Sequence, residues 1–311
     1  MPRLTVVVPA HNEVAVLETF HGRLSRVLNE LPVDGNVLYV DDGSTDATWR
    51  LIEELLARDP RVGAIKLSRN FGKEAALTAG LDHADADAVV VIDADLQDPP
   101  ELIPSLVEQW RAGFDVVYAT RTARAGETGF KRLTAALFYR GMERLSETPI
   151  PRDTGDFRLL SRRALDALRQ LRERQRFMKG LFAWIGYRQT AVYYLREPRV
   201  AGTTKWNYWR LLQLAMEGVT SFSTAPLRLA TWVGLSSSLL AFLYGLWVFG
   251  KAALLGDPVA GYPSLMVAIL FLGGVQLLAL GVIGEYLGRN YAESKQRPLY
   301  FIEEHRSPRA G

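Results

Sequence analysis

Cysteine is absent from all 311 residues, which excludes disulfides and thiolate metal sites and fits a reducing compartment. No sign of charge dominates. The 37 Lys and Arg against 34 Asp and Glu leave a net charge of +3, too little for the basic footprint of a nucleic-acid binder. No basic segment followed by an apolar core precedes the first strand at Leu4, so no secretory leader is expected. Internal repeats and low-complexity tracts are missing as well. The most telling absence is local: charges run through residues 1–226, yet 229–249 and 258–284 contain none.

A helix rises ~1.5 Å per residue, so ~20 apolar residues cross the hydrocarbon core of a bilayer. Both charge-free segments are long enough for this. Arg210 and Arg228 precede the first, Arg289, Lys295 and Arg297 follow the second, and the connection holds only Lys251 and Asp257. The excess of cations outside the pair predicts a two-span membrane protein with both termini on the cytoplasmic side. Upstream, Trp209, Leu212, Met216 and Val219 share one helical face within Trp206–Phe222. That pattern reads as a helix lying in the headgroup layer, or as one packed on a soluble domain.

The first ~120 residues alternate between the periods of strand and helix. Apolar runs at Leu4–Pro9, Val37–Asp41, Ala64–Leu67, Ala88–Asp93 and Asp115–Thr120 are separated by helical spacing over Val14–Leu31, Ala47–Arg58, Gly72–Ala84 and Pro100–Ala112. This rhythm predicts an α/β fold with a mainly parallel sheet. Further on, Phe130–Leu145 and Arg163–Leu171 read as helices and Asp156–Leu160 as a short strand. Four of the strands end in polar residues, which the topology gathers at one edge of the sheet, where open α/β sheets bind ligands.

Val89-Val90-Val91-Ile92 is a run suited to a strand buried on both faces. It ends in Asp93-Ala94-Asp95-Leu96-Gln97-Asp98-Pro99-Pro100. Asp93, Asp95 and Gln97 offer oxygen donors at alternating positions, as a Mg²⁺ or Mn²⁺ that shares its shell with substrate phosphates requires. A solvated acidic turn with a helix cap is the plainer alternative. Asp41-Asp42-Gly43-Ser44, after another strand, suits hydrogen bonds from a nucleobase or ribose, and Ser44 and Asp46 suit a helix cap equally well.

Six segments together carry a resemblance. They are Val8-Pro9-Ala10-His11-Asn12-Glu13, Asp41-Asp42-Gly43-Ser44, Arg69-Asn70-Phe71-Gly72-Lys73, Asp93 through Pro100, Asp153-Thr154-Gly155-Asp156-Phe157-Arg158, and Gly284-Glu285-Tyr286-Leu287-Gly288-Arg289. In this order the chain resembles the family 2 glycosyltransferases of GT-A fold. Within them it is most similar to the polyprenyl-phosphate glycosyltransferases, the dolichol-phosphate mannose synthases and their bacterial relatives. The resemblance implies a GT-A catalytic domain over 1–200, an acceptor loop and interfacial helices over 201–228, two transmembrane helices over 229–286, and a cytoplasmic tail over 287–311.

It implies chemistry too. A nucleotide diphosphate sugar, foremost a UDP-sugar, would donate to undecaprenyl phosphate with inversion. Asp95 and Gln97 would ligate Mg²⁺ or Mn²⁺. Pro9, His11, Glu13, Asp41, Asp42 and Asp93 would bind the nucleotide. Asp156, with Arg158 beside it, would be the catalytic carboxylate, although an acceptor phosphate with a second pKa near 6 is already largely dianionic and gains little from a base. Arg121, Lys131, Arg132, Arg199 and Lys205 would meet phosphate groups. A homotetramer is implied as well. The rivals are a processive polysaccharide synthase and a lipid-sugar flippase subunit. Here the Gln-x-x-Arg-Trp typical of the former is missing, and the spans lack the ionisable groups a translocation pathway needs.

Overall fold

The computed structural model describes residues 1–121, 154–174, 176–194, 225–255 and 261–309. The expected helices Phe130–Leu145 and Trp206–Phe222, and the positions Lys131, Arg132, Arg199 and Lys205, lie outside them. The chain forms two compact units.

The first unit is built on one sheet. In chain order its elements are β1 (Arg3–Ala10), α1 (Leu17–Glu30), β2 (Asp34–Asp41), α2 (Thr48–Arg58), β3 (Val62–Leu67), α3 (Lys73–His83) and β4 (Ala88–Val91). After a 3₁₀ turn at Pro100–Leu102 come α4 (Ile103–Arg111), β5 (Val116–Arg121), β6 (Thr154–Ser161), α5 (Arg162–Gln170), α6 (Met178–Trp184) and β7 (Gln189–Tyr194). The strand β8 (Ile302–Arg306) comes last in the chain and completes the sheet in the order β7-β5-β6-β4-β1-β2-β3-β8. β4, β1, β2 and β3 pair in parallel, as do β5 and β7, while β6 and β8 run antiparallel to their neighbours. The expected α/β sheet, mainly parallel, is the one observed.

Alternation along β1 explains how both faces are covered. Val6 and Val8 belong to one buried cluster with Leu17, Phe20 and Leu24 of α1, whose spacing of three and four gives a single apolar stripe. Val7 points the other way, toward α3. There the close approach of helix and sheet leaves no room for a side chain at Gly80, where a Cβ would stand 2.3 Å from Val7 Cγ1. All four residues of β4 are buried, as a strand covered on both faces should be.

The second unit holds α7 (Ala225–Leu255) and α8 (Tyr262–Ser294). Within them Leu229–Trp247 and Phe271–Ser294 are long and apolar enough to cross a bilayer.

Candidate active site

The loops that follow β1 and β2 are tied to each other by side chain to backbone hydrogen bonds. Asn12 adopts a left-handed φ of 57°. This lets its amide N–H donate to Ser44 Oγ at 3.0 Å while its side-chain oxygen accepts from the Thr45 N–H at 2.8 Å. His11 Nδ1 lies 2.9 Å from the Asp42 carbonyl. A carbonyl only accepts, so Nδ1 carries the proton and Nε2 is left to accept from Asn70 Nδ2 at 3.1 Å.

The loop after β3 is fastened to the same place. The Asp42 carboxylate accepts the backbone N–H groups of Phe71 and Gly72 at 2.7 and 3.0 Å. Gly43 sits at φ 61°, and a Cβ there would stand 2.5 Å from backbone atoms of Arg69 and Asn70. Glycine is thus required twice over, by its dihedral and by the close approach. Asp41 is fully buried. Its Oδ2 accepts from the Ser44 N–H at 3.2 Å, its Oδ1 has no partner, and burial raises its pKa.

Beyond β4 the acidic segment turns sharply, with Leu96 at φ 59°. Asp93, Ala94 and Asp95 line a cleft of about 350 Å³ together with Pro9, His11, Glu13, Asp42 and Lys73. Gln97 is buried. Its N–H donates to Asp95 Oδ1 at 3.1 Å, while its own Oε1 is shielded and unpaired. Asp98 is also buried and accepts from the Tyr194 hydroxyl, which anchors the end of β7 to this loop.

Lys73, in the first turn of α3, reaches across the cleft. Its ammonium donates to Asp93 Oδ2 at 2.7 Å and to Asp156 Oδ2 at 2.6 Å. Burial acts against the charge on Lys73, but the two carboxylates outweigh it and raise its pKa. Burial likewise raises Asp156, yet Lys73, Lys179 and Arg158 bring its carboxyl down to about 2. In the same cluster Glu74 is pushed up to about 7, first by burial and then by the Asp156 charge, and its Oε2 has no partner. Arg158 is almost wholly buried. Its guanidinium lies 3.8 Å from the Phe182 ring centre and donates to the carbonyls of Gly155 and Asp156 rather than to the carboxylate. Burial lowers its pKa to about 10.

Six of the expected site residues, Pro9, His11, Glu13, Asp42, Asp93 and Asp95, therefore share one cleft. Asp156 joins them through Lys73, with Arg158 two residues further along β6. Asp41 and Gln97 are buried and are not among the lining residues. Arg121 closes β5, its backbone paired with Tyr194. Lys73, Glu74 and the Asp98–Tyr194 link carry no role in the sequence reading. The signal available for Lys73 was its place at a helix start inside one of the six segments.

Among the described residues no three His, Asp or Glu converge closely enough to enclose a metal ion by themselves. Mg²⁺ and Mn²⁺ do not need this, since one or two carboxylates with substrate phosphates and water suffice. Asp93 and Asp95 on the cleft wall, with the unpaired Oε1 of Gln97 beside them in sequence, fit such a shared site.

Comparison with known proteins assigns the chain. Residues 5–169 match the family described as Glycosyl transferase family 2, and residues 225–289 match the GtrB C-terminal hairpin. The chain belongs to glycosyl transferase family 2. It is a glycosyltransferase of GT-A fold. Within the family it is 53% identical to an uncharacterized glycosyltransferase of Synechocystis sp. over 97% of this chain and 95% of that one. It is 48% identical to the bactoprenol glucosyl transferase of Shigella phage SfV over 97% of this chain and 98% of that one. The glucosyl-3-phosphoglycerate synthase of Mycobacterium tuberculosis superposes with a TM-score of 0.46 at 23% identity, over 70% of this chain and 78% of that one.

Proposed function

We propose that this family 2 enzyme transfers one sugar from a nucleotide diphosphate sugar, foremost UDP-glucose, to undecaprenyl phosphate at the cytoplasmic face of the membrane, with inversion at the anomeric carbon. The observation that carries the reading is the Asp93–Lys73–Asp156 bridge. It joins a nucleotide-sized cleft to a second carboxylate and a buried arginine on β6, so donor and acceptor ends meet at one point. The bactoprenol named in a relative 48% identical along nearly its full length supports a polyprenyl acceptor.

The loops after β1 and β2 and the Asp42 clamp present a preformed wall to the nucleotide. A divalent ion held by Asp95, with Asp93 and Gln97 beside it, would neutralise the departing diphosphate. On the other side an oxygen of the lipid phosphate attacks the anomeric carbon as the bond to the nucleotide diphosphate breaks. Asp156, its carboxyl held at about 2, is too weak a base to take a proton from a phosphate whose second pKa is about 6, so its part is to orient the cations beside it, Lys73 first. Arg121, Lys131, Arg132, Arg199 and Lys205 belong to the same proposal as phosphate contacts.

The membrane part follows from α7 and α8. β8 comes after α8 in the chain and pairs with β3 of the catalytic sheet. Two crossings return the chain to the side it left, so this pairing supports a hairpin with both termini on the side of the catalytic domain, and the excess of cations outside the pair makes that side the cytoplasmic one. A homotetramer, tested by light scattering in detergent, completes the proposal. To test the function, the purified full chain is given Mn²⁺, undecaprenyl phosphate and a panel of radiolabelled nucleotide sugars. Label should pass into the solvent-extractable lipid from one donor. Release of free sugar alone from every donor would contradict the reading.

A further inference from the structure

The Lys73 ammonium stands between two carboxylates that the proposed reaction uses separately, Asp93 on the donor side and Asp156 on the acceptor side. Its starting point is fixed. The Asp42 carboxylate holds the amides of Phe71 and Gly72, and Gly72, at φ 96°, turns the chain into α3. From there the side chain lines the cleft alongside Asp93 and Asp95. One ammonium against two carboxylates leaves this trio a single negative charge. Asp95, which would hold the divalent ion, lines the same cleft as Lys73 and Asp93. Two cations competing for one carboxylate repel strongly in a partly desolvated cleft. Binding of the ion and the Lys73–Asp93 contact therefore weaken each other, by the same factor in both directions.

We propose that Lys73 is a resident counter-cation that occupies Asp93 in the metal-free protein, gives up that contact when donor and metal are bound, and then pairs with Asp156 alone. The inference rests on the assignment of the metal to Asp95 made above. Lys73 is a positioning residue in this account. Before the donor arrives it keeps the metal loop and the β6 carboxylate together without the repulsion of two bare acids. Once the donor is in place it leaves its whole charge on the acceptor side, next to Asp156. The site is thereby charged for the acceptor only after the donor has bound.

The test is Mn²⁺ binding to the full-length protein in the presence of UDP, read from the electron paramagnetic resonance of free Mn²⁺, for wild type, Lys73→Met, Lys73→Arg and Asp95→Ala. Lys73→Met should bind Mn²⁺ about tenfold more tightly than wild type, and Lys73→Arg should stay within about twofold of it, since the competing charge is kept. Turnover at saturating Mn²⁺ should move the opposite way, falling at least ~10-fold in Lys73→Met as Asp156 loses its cation. A purely structural lysine would not raise metal affinity while lowering turnover. Equal or weaker Mn²⁺ binding by Lys73→Met would overturn the inference, and Lys73→Gln replaces it if the methionine variant does not fold. Wild-type Mn²⁺ binding by Asp95→Ala would instead overturn the metal assignment beneath it.

Discussion

Replacing Glu74 by Gln isolates one buried charge whose effect on stability has a definite sign. An ordinary glutamate titrates near 4.5, whereas burial and the neighbouring Asp156 push Glu74 up to about 7, Lys73 and Lys179 offsetting only part of this. The folded protein therefore binds the Glu74 proton more tightly than the unfolded chain does. Stability from this group is complete below about pH 4.5 and is lost as the pH rises through 7. The gap between the two values corresponds to about 3 kcal/mol at ~1.4 kcal/mol per pH unit. Glutamine keeps the shape of the protonated acid and cannot ionise. The melting temperature of Glu74→Gln minus that of wild type should therefore widen between pH 5 and pH 8. About 2.5 kcal/mol of that gap is expressed between pH 5 and pH 8, so at ~2–4 °C per kcal/mol for a domain of this size the widening is about 5–10 °C. Differential scanning fluorimetry of the full chain in detergent at the two pH values measures it. A difference that is the same at both would show that Glu74 is not held protonated and would refute the electrostatic picture of the Asp156 cluster.

Three further substitutions probe separate parts of the cleft. Asp95→Ala should abolish transfer and weaken donor binding in Mn²⁺ or Mg²⁺ while the circular dichroism spectrum is kept; full activity of the wild type in EDTA would contradict the metal assignment. Asp156→Asn should lower kcat by at least ~10²-fold, because Lys73 loses the anionic partner that positions it on the acceptor side, with little change in UDP-sugar affinity by calorimetry; the reverse pattern would move Asp156 to the nucleotide site. Gly43→Ala should cost at least ~2 kcal/mol, from its left-handed φ and the clash with the backbone at Arg69 and Asn70. UDP affinity should fall with it, and an unchanged melting temperature would show that the loops are not locked together there.

Much of the catalytic sheet was legible in the sequence because its strands are apolar runs and its helices carry a clear stripe. The expected β4 ends within two residues of the observed one, and the polar strand ends do converge on one cleft. What stayed hidden lacks such a pattern. β8 reads Ile-Glu-Glu-His-Arg, five mostly charged residues expected only as tail, and it becomes a strand because the edge of β3 offers unpaired backbone groups. β7 was missed for a related reason, being a half-exposed edge strand without clean alternation. Lys73 bridges residues 20 and 83 positions away, so its role exists only once α3, β4 and β6 are side by side. Asp41 reads as a ligand by position, yet the fold buries it with one oxygen unpaired, which a two-residue motif does not reveal.

The central claim, that the cleft moves a single sugar onto a lipid phosphate, is tested most directly by mass spectrometry of the product from the full chain supplied with Mn²⁺, its preferred nucleotide sugar and either undecaprenyl phosphate or undecaprenol. The account predicts one sugar per lipid, linked through the phosphate, one nucleotide diphosphate released for each product, and no product from the alcohol. Lipids bearing several sugars, or equal glycosylation of the alcohol, would contradict it.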